Sequence, residues 1–208
     1  NNGFKLPFIT TMTCGTGSFA GSEGEYDYCL SEKFVVAGSA SNPKGGVAAI
    51  ATATIGTHTM YNNAMNLGVY EGIFTHNVST AGEALNYGKF HLINSYIGQT
   101  QTYTSIFCHW HSLMGDPSLH LWTDTPYSPI VNFLDVIPNG ANSINISVHD
   151  QNGSPVNDAL VTLLKNEDEI FISKLTSSNG QVNIPLEYDS TGEVLVTITK
   201  KNMIPYEG

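Results

Sequence analysis

The sequence contains no arginine. Its eight basic residues are all lysines, set against 18 Asp and Glu, and the formal net charge is −10. A chain that binds nucleic acid needs clustered Lys and Arg to neutralise phosphates, so this composition argues against a nucleic-acid partner. Cysteine is also scarce. The three residues, Cys14, Cys29 and Cys108, are odd in number and widely spaced, which argues against a disulfide framework.

Long apolar runs are absent as well. No run reaches the roughly 18 residues that a membrane-spanning helix requires, so no span is predicted. No secretory signal peptide is recognisable. With 41% hydrophobic and 12% charged residues, the composition is that of a globular protein. A length of 208 residues suffices for one large or two small domains.

The first half of the chain has the pattern of an α/β fold. Residues 6–13 and 46–55 are nearly continuous in apolar and β-branched residues, which is typical of buried strands. Residues 28–38, between them, have an amphipathic helical pattern. A strand, a helix and a second strand, with both strands apolar, predict a βαβ unit with a parallel sheet.

More helices are predicted further along. One covers residues 61–74, and another covers 81–96, where Thr80 and Glu83 form a T-x-x-E capping box. Residues 103–113 fit either a helix or a strand. The following stretch, 113–122, indicates a turn that leads into a short strand.

Residues 1–125 therefore hold two good parallel strands and a short third. An α/β sheet usually has about five or six strands. We expect this domain to be incomplete by itself, with the missing strands supplied by another chain or by a segment upstream of Asn1.

The pattern changes after residue 125. Residues 126–208 contain short alternating strands separated by the turn signals Q-N-G-S-P, S-S-N-G and D-S-T-G. The strand segments are S-I-N-I-S-V, A-L-V-T-L-L, E-I-F-I-S-K-L, Q-V-N-I-P-L and E-V-L-V-T-I-T. Their number and spacing predict an all-β sandwich that resembles an immunoglobulin domain.

Cys14 is the strongest candidate for chemistry. It ends the run L-P-F-I-T-T-M-T-C and is followed by Gly-Thr-Gly. In an open α/β sheet, a nucleophile commonly stands at the carboxyl end of a strand, where a crevice forms. The glycines allow backbone N–H groups to approach a reacting carbonyl closely.

A thiol nucleophile is normally paired with an imidazole, but no histidine of this chain follows an apolar strand in an H-G turn. His58 follows the second strand, so we expect it at the same sheet edge as Cys14 and in the wall of the crevice rather than as the base. The run C-H-W-H, 108–111, has spacing compatible with zinc, although buried packing is the favoured interpretation.

Several segments in order resemble the gingipain family of bacterial cysteine peptidases, over most of residues 5–125. They are P-F-I-T-T-M-T-C-G-T-G-S-F, Y-C-L-S-E-K-F, N-P-K-G-G-V-A-A-I-A-T-A-T, G-E-A-L-N-Y-G-K and L-M-G-D-P-S-L. The resemblance implies a caspase-like α/β fold with Cys14 as nucleophile and oxyanion N–H donor. It implies a histidine base in an H-G turn that would precede Asn1. It also implies an immunoglobulin-like domain after the catalytic one, and a secreted or bacterial cell-surface location.

The family cuts after basic residues, and the resemblance implies a substrate pocket formed here by Gly15, Thr57, His58 and Tyr61. The family has an aromatic ring where this chain has His58, and one branch has a pocket acid where this chain has Tyr61. These differences argue against basic specificity unless another segment supplies the acid. The family also binds structural calcium, for which Glu23, Glu25 and Asp27 are the candidate ligands, although a solvated acidic loop is the favoured interpretation. No other cofactor is implied.

The leading hypothesis is a cysteine endopeptidase that acts through a thioester acyl-enzyme. Its histidine base would come from an upstream segment or from a companion chain. Two alternatives stay open from the sequence. One is a non-catalytic binding or adhesion module on a protease-like scaffold, and the other is a sortase-like transpeptidase.

Overall fold

The computed structural model describes residues 5–20, 28–98, 101–166 and 169–208. The chain divides into two compact units, Asn1–Thr123 and Asp124–Gly208. Within the described residues, no helix is both long enough and apolar enough to cross a bilayer.

The first unit is a mixed α/β structure. Its elements are β1 (Phe8–Thr11), α1 (Leu30–Val36), β2 (Gly38–Ser39), β3 (Asn42–Pro43), β4 (Ala48–Thr52), α2 (Thr59–Thr75), α3 (Ala81–Ser95), α4 (Gln101–Trp110) and β5 (His111–Met114). Strands β1 and β4 pair in parallel, from Phe8 opposite Ala48 to Thr11 opposite Ala51. The predicted βαβ unit, with α1 as its helix, is confirmed.

The third strand of the sheet departs from the sequence prediction in both position and direction. The predicted short strand was to follow a turn within 113–122, but β5 precedes that turn, and after it His120 forms only an isolated bridge with Thr80. The strand order is β1-β4-β5, and β5 runs antiparallel to β4. Helix α4 ends beside the carboxyl end of β4, where the Ala53 N–H donates to the Trp110 carbonyl at 2.7 Å. The chain that leaves α4 therefore enters the sheet at that end and runs back along β4. The prediction of a wholly parallel sheet is wrong here, because the described sheet is mixed.

Strand β4 lies at the centre of this sheet, and all five of its residues are buried. Ile50 belongs to a cluster with Met65, Val69 and Leu85, so α2 and α3 cover one face of the sheet. Each large apolar side chain buried in this way contributes about 1.5–3 kcal/mol relative to exposure. Helix α1 lies on the other face, where Ser31 Oγ is 3.1 Å from Thr11 Oγ1.

Helix α3 begins with the predicted capping box. Thr80 Oγ1 accepts from the Glu83 N–H at 3.3 Å, and Glu83 Oε2 accepts from the Thr80 N–H at 3.2 Å. Hydrogen bonds from the Ser79 and Thr80 backbone and side chains hold the pKa of the Glu83 carboxyl below its usual value. Residues 103–113, for which the sequence allowed either a helix or a strand, are helical up to Trp110 and form a strand from His111.

The second unit contains two antiparallel sheets, with strand orders β10-β7-β6 and β12-β11-β8-β9. The strands are β6 (Ile130–Asn132), β7 (Ser143–His149), β8 (Leu160–Lys165), β9 (Ile170–Leu175), β10 (Gln181–Pro185), β11 (Leu195–Thr199) and β12 (Tyr206–Glu207). Alternate residues of β7, β8, β10 and β11 point into one shared core. All five predicted strands are present. The short strands β6 and β12 were not predicted.

One charged side chain lies inside this second unit. Lys165, the last residue of β8, is only 3% exposed. Its ammonium group donates to Glu169 Oε1, to the Ser190 carbonyl at 2.6 Å and to Ser190 Oγ at 2.9 Å. We call Lys165, Glu169 and Ser190 the lysine cluster. All three ammonium protons are thus used, which offsets the cost of burying the charge.

Candidate functional site

Cys14 lies in a tight loop just after β1, and this loop is tied to the end of β4. The Gly15 N–H donates to the Thr54 carbonyl at 2.7 Å, and the Gly17 N–H donates to the Thr52 carbonyl at 2.9 Å. Gly15 has φ +71°, a left-handed conformation that favours glycine. A Cβ at Gly17 would lie 2.9 Å from that of Ala51, so only glycine allows the loop to come this close.

These two bonds change one expectation from the sequence. The N–H groups of Gly15 and Gly17 hold the loop on β4 and do not point into an open crevice. The glycines therefore position the cysteine, while their own N–H groups are already in use.

The loop is also supported from its other side. Thr16 Oγ1 donates to the Thr11 carbonyl at 2.8 Å, and the Thr16 carbonyl accepts from the Ser31 N–H at 3.0 Å. Ser18 Oγ donates to the Ala53 carbonyl at 2.8 Å. The loop that carries Cys14 is thus held in place by β1, β4 and the first turn of α1.

The Cys14 side chain is exposed, and its sulfur lies 2.9 Å from Thr57 Oγ1. Hydrogen bonds from the Thr57 side chain and backbone lower the pKa of the Cys14 thiol. In contrast, burial raises the pKa of the Cys29 thiol and of the Cys108 thiol. Among the three cysteines, Cys14 combines access to solvent with a stabilised thiolate, the two properties of a reactive cysteine.

Thr57 is held by Asn62, a residue not predicted to belong to the site. The side-chain amide of Asn62 donates to Thr57 Oγ1 at 3.2 Å and to the Met12 carbonyl at 3.0 Å. Asn62 is 4% exposed and lies on the buried face of α2 with Met65 and Val69. The signal in the sequence was a carboxamide on an otherwise apolar helix face, which requires a polar partner inside the fold.

His58 lies next to Thr57 and caps the N-terminus of α2. Its Nδ1 accepts from the Met60 N–H at 3.2 Å, so the neutral ring carries its proton on Nε2. The ring also makes an edge contact with Tyr61, at 5.9 Å between centroids. Tyr61 in turn packs against Tyr96 and Phe107, at 4.9 and 4.7 Å. The structure thus places His58 and Tyr61 in one aromatic group that begins beside Thr57.

No histidine in the described part of the chain is hydrogen-bonded to the Cys14 sulfur. His111, the buried first residue of β5, is fixed by Phe107, whose carbonyl accepts from Nδ1 at 2.7 Å. Burial lowers the pKa of His111, and its Nε2 lies 3.4 Å from Thr52 Oγ1. His111 is therefore a core residue.

Two metal sites were considered from the sequence, one for calcium and one for zinc. Glu23, Glu25 and Asp27 lie outside the described residues, so calcium binding there stays a prediction. Among the residues that the structure covers, including the C-H-W-H run, no group of three His, Cys, Asp or Glu side chains is arranged to hold a metal ion.

Comparison with known sequence families identifies the family of this chain. The sequence model of peptidase family C25 matches residues 1–122, more than half of the chain. The chain belongs to peptidase family C25. This family is the gingipain family, so the resemblance seen in the ordered motifs is confirmed. A search among curated proteins gave no match.

Solved protease structures share the fold of this C25 chain. One is a crystal structure of the Arg-specific cysteine proteinase gingipain R, with 23% identity and a TM-score of 0.73. Another is a complex of the RgpB pro- and mature domains of Porphyromonas gingivalis, with 22% identity and a TM-score of 0.72. A third, described as a protease, has 16% identity and a TM-score of 0.74. All of this chain is covered in each case, but it spans only 45–47% of the other chain.

Proposed function

We propose that this chain supplies the nucleophile of a cysteine endopeptidase, and that Cys14 is that nucleophile. The observation that carries the proposal is the exposed Cys14 sulfur 2.9 Å from Thr57 Oγ1, on a loop fixed at a strand end. Family membership supports the assignment, because the matched region includes the whole loop.

In the proposed reaction, the Cys14 thiolate attacks the carbonyl carbon of the scissile peptide bond. The C–S bond forms, and the negative charge moves to the carbonyl oxygen, where the Cys14 N–H donates a hydrogen bond. The C–N bond then breaks, and the amine leaves with a proton from an imidazolium. Water, deprotonated by the same imidazole, hydrolyses the thioester and releases the thiolate.

We propose that the imidazole comes from outside this chain, on a segment that precedes Asn1 or on a companion chain. Two observations support this. His58 already uses its Nδ1 as the cap of α2, and His111 is buried in the core. We also propose a secreted or cell-surface location, which rests on family membership alone.

The substrate side chain would then contact the surface formed by Thr57 and the aromatic group next to it. We propose that His58 and Tyr61 form its wall, and that Gly15 leaves room for the substrate backbone because it has no side chain. The packing of Tyr61 on Tyr96 and Phe107 supports a rigid wall. We further propose, from the sequence pattern, that the two sheets of residues 124–208 form an immunoglobulin-like domain.

The test replaces Cys14 in the protein assembled with the rest of its catalytic domain. We expect Cys14→Ala to abolish hydrolysis of fluorogenic peptides and labelling by thiol-reactive peptide inhibitors. The matched control is Cys108→Ala, because Cys108 is part-buried and burial raises its pKa. Full hydrolysis by the Cys14→Ala variant would overturn the proposal.

A further inference from the structure

The Asn62 side chain links the two chain segments that follow β1 and β4. Its amide nitrogen lies 3.0 Å from the carbonyl oxygen of Met12, just after β1, and 3.2 Å from Thr57 Oγ1, after β4. The side chain is 4% exposed, so water does not compete for these two bonds.

The Met12 contact fixes which way the amide points. A backbone carbonyl only accepts hydrogen bonds, so the Asn62 nitrogen and not its oxygen must face Met12. The second N–H of the same nitrogen then points at Thr57 Oγ1. The Asn62 oxygen is buried and has no partner among the described residues.

The bond from Asn62 leaves the Thr57 hydroxyl proton available to the Cys14 sulfur. Because the Thr57 oxygen accepts from Asn62, its own hydroxyl proton is free to point elsewhere. The Cys14 sulfur lies 2.9 Å from that oxygen. A thiolate sulfur only accepts, so once Cys14 is deprotonated the Thr57 hydroxyl donates to it, and this bond is stronger than one to a neutral thiol.

We propose that Thr57 is a catalytic residue that stabilises the Cys14 thiolate, and that Asn62 is the positioning residue that aims the Thr57 hydroxyl at the sulfur. This inference rests on the proposed function for its role in turnover, because it assumes that the thiolate is the attacking species. The lowered pKa of the Cys14 thiol, caused mainly by the Thr57 side chain, agrees with this arrangement.

Thr57 moves no proton in this scheme. Its hydroxyl bonds to the thiolate before attack, and the bond weakens as the sulfur electron pair forms the C–S bond. When water attacks the thioester, the C–S bond breaks and the electron pair returns to sulfur. The same hydroxyl then stabilises the departing thiolate, so both halves of the reaction benefit.

The first experiment measures alkylation of Cys14 by iodoacetamide across a pH range, with each cysteine peptide quantified by mass spectrometry. We expect Thr57→Val to slow Cys14 alkylation at neutral pH by about 3- to 10-fold, because the loss of one bond to a charged group is partly offset by the higher nucleophilicity of the less acidic thiol's anion. The limiting rate at high pH should not fall, because the sulfur is equally accessible and a thiolate without this bond is at least as nucleophilic. Thr57→Ser keeps the hydroxyl and should restore most of the neutral-pH rate.

The second experiment removes the positioning residue. We expect Asn62→Leu to slow neutral-pH alkylation to a similar degree, with a high-pH limit that does not fall. The double variant Thr57→Val/Asn62→Leu should be no slower than Thr57→Val alone, because Asn62 acts through Thr57. Asn63→Ala, one residue along on the exposed face of α2, is the control and should match wild type.

Additive effects in the double variant would overturn the role of Asn62, as would a lower high-pH limit, which indicates a disturbed loop. Should Asn62→Leu fail to fold, Asn62→Asp provides the same test. Its carboxylate only accepts, so it would draw the Thr57 hydroxyl away from the sulfur and again slow neutral-pH alkylation. Alkylation requires no peptide hydrolysis. Failure of this inference is therefore distinguishable from failure of the endopeptidase proposal, which the Cys14→Ala hydrolysis assay tests by itself.

Discussion

Cys14 in the α/β unit and Lys165 in the β unit are both ionisable side chains close to the end of a strand, but their surroundings are opposite. Lys165 is buried, and all three of its protons are donated to Glu169 and Ser190. Cys14 is exposed, and the polar partners of its sulfur lie to one side, at Thr57 and, behind it, Asn62.

The difference separates two uses of a polar network. In the lysine cluster every donor is satisfied within the fold, so the network can contribute to stability and has no donor left for a ligand. At Cys14 the supporting network is buried, while the reacting atom keeps an open side. A site for chemistry needs this second arrangement, because the substrate must reach the sulfur without first displacing a protein group.

The largest effect on stability is expected from replacing Lys165. We expect Lys165→Met to lower the free energy of unfolding by about 2–3 kcal/mol, because the variant loses bonds to a carboxylate and a backbone carbonyl. Denaturant unfolding of the full chain measures this. Lys174→Met is the matched control, since Lys174 is exposed and makes one 3.3 Å bond to the Asn183 carbonyl. Equal losses in both variants would show that the lysine cluster does not support the fold.

A smaller effect on stability is expected when the pH is lowered. Hydrogen bonds from Lys165 and from Ser190 and Asp189 lower the pKa of Glu169 from 4.5 to about 2. Because the folded-state pKa is lowered, this stabilisation is present above pH 4.5 and is lost as the pH falls towards 2. We expect Glu169→Gln to flatten the decline of the unfolding midpoint over this range.

Glu187→Gln removes a charge from an exposed position near the end of β10 and serves as the control. Its midpoint should decline with pH as that of the wild type does. A decline equally steep in Glu169→Gln would mean that the acid sensitivity arises elsewhere.

The smallest effect on stability is expected at Cys14. We expect Cys14→Ser to leave the denaturant midpoint unchanged within error, because the side chain is exposed and the loop is held by backbone groups of Gly15 and Gly17. Alkylation at position 14 should vanish in the same variant. A clear loss of stability would place the sulfur among the groups that support the fold and would weaken the contrast with Lys165.

Strong local patterns predicted most of the fold. The apolar runs gave β1 and β4, and the Thr80–Glu83 box placed the start of α3. The direction of β5 was not predictable in this way, because it depends on where α4 delivers the chain and not on residues of β5. The strands β6 and β12 are only three and two residues long, too short for alternation to be recognised.

In the candidate site, too, the residues predicted from the sequence are those marked by a local pattern. Cys14 was predictable because a strand, a thiol and glycines are adjacent in sequence, and Thr57 and His58 because they follow the next parallel strand. Asn62 was not predicted, because its role depends on contacts with Met12 and Thr57, which lie in different segments. Likewise, the sequence showed that Gly15 and Gly17 permit close approach, but only the structure shows that their N–H groups approach β4.

The backbone ties of the Cys14 loop have a consequence for the entropy of substrate binding. Fixing one residue's backbone costs about 1–2 kcal/mol of conformational free energy. In this loop, that cost is met when the α/β unit folds, through bonds from Gly15, Gly17 and Ser31 to carbonyls of the unit's own backbone. A substrate therefore meets a preorganised loop, and its binding energy is available for orienting the scissile carbonyl against the sulfur.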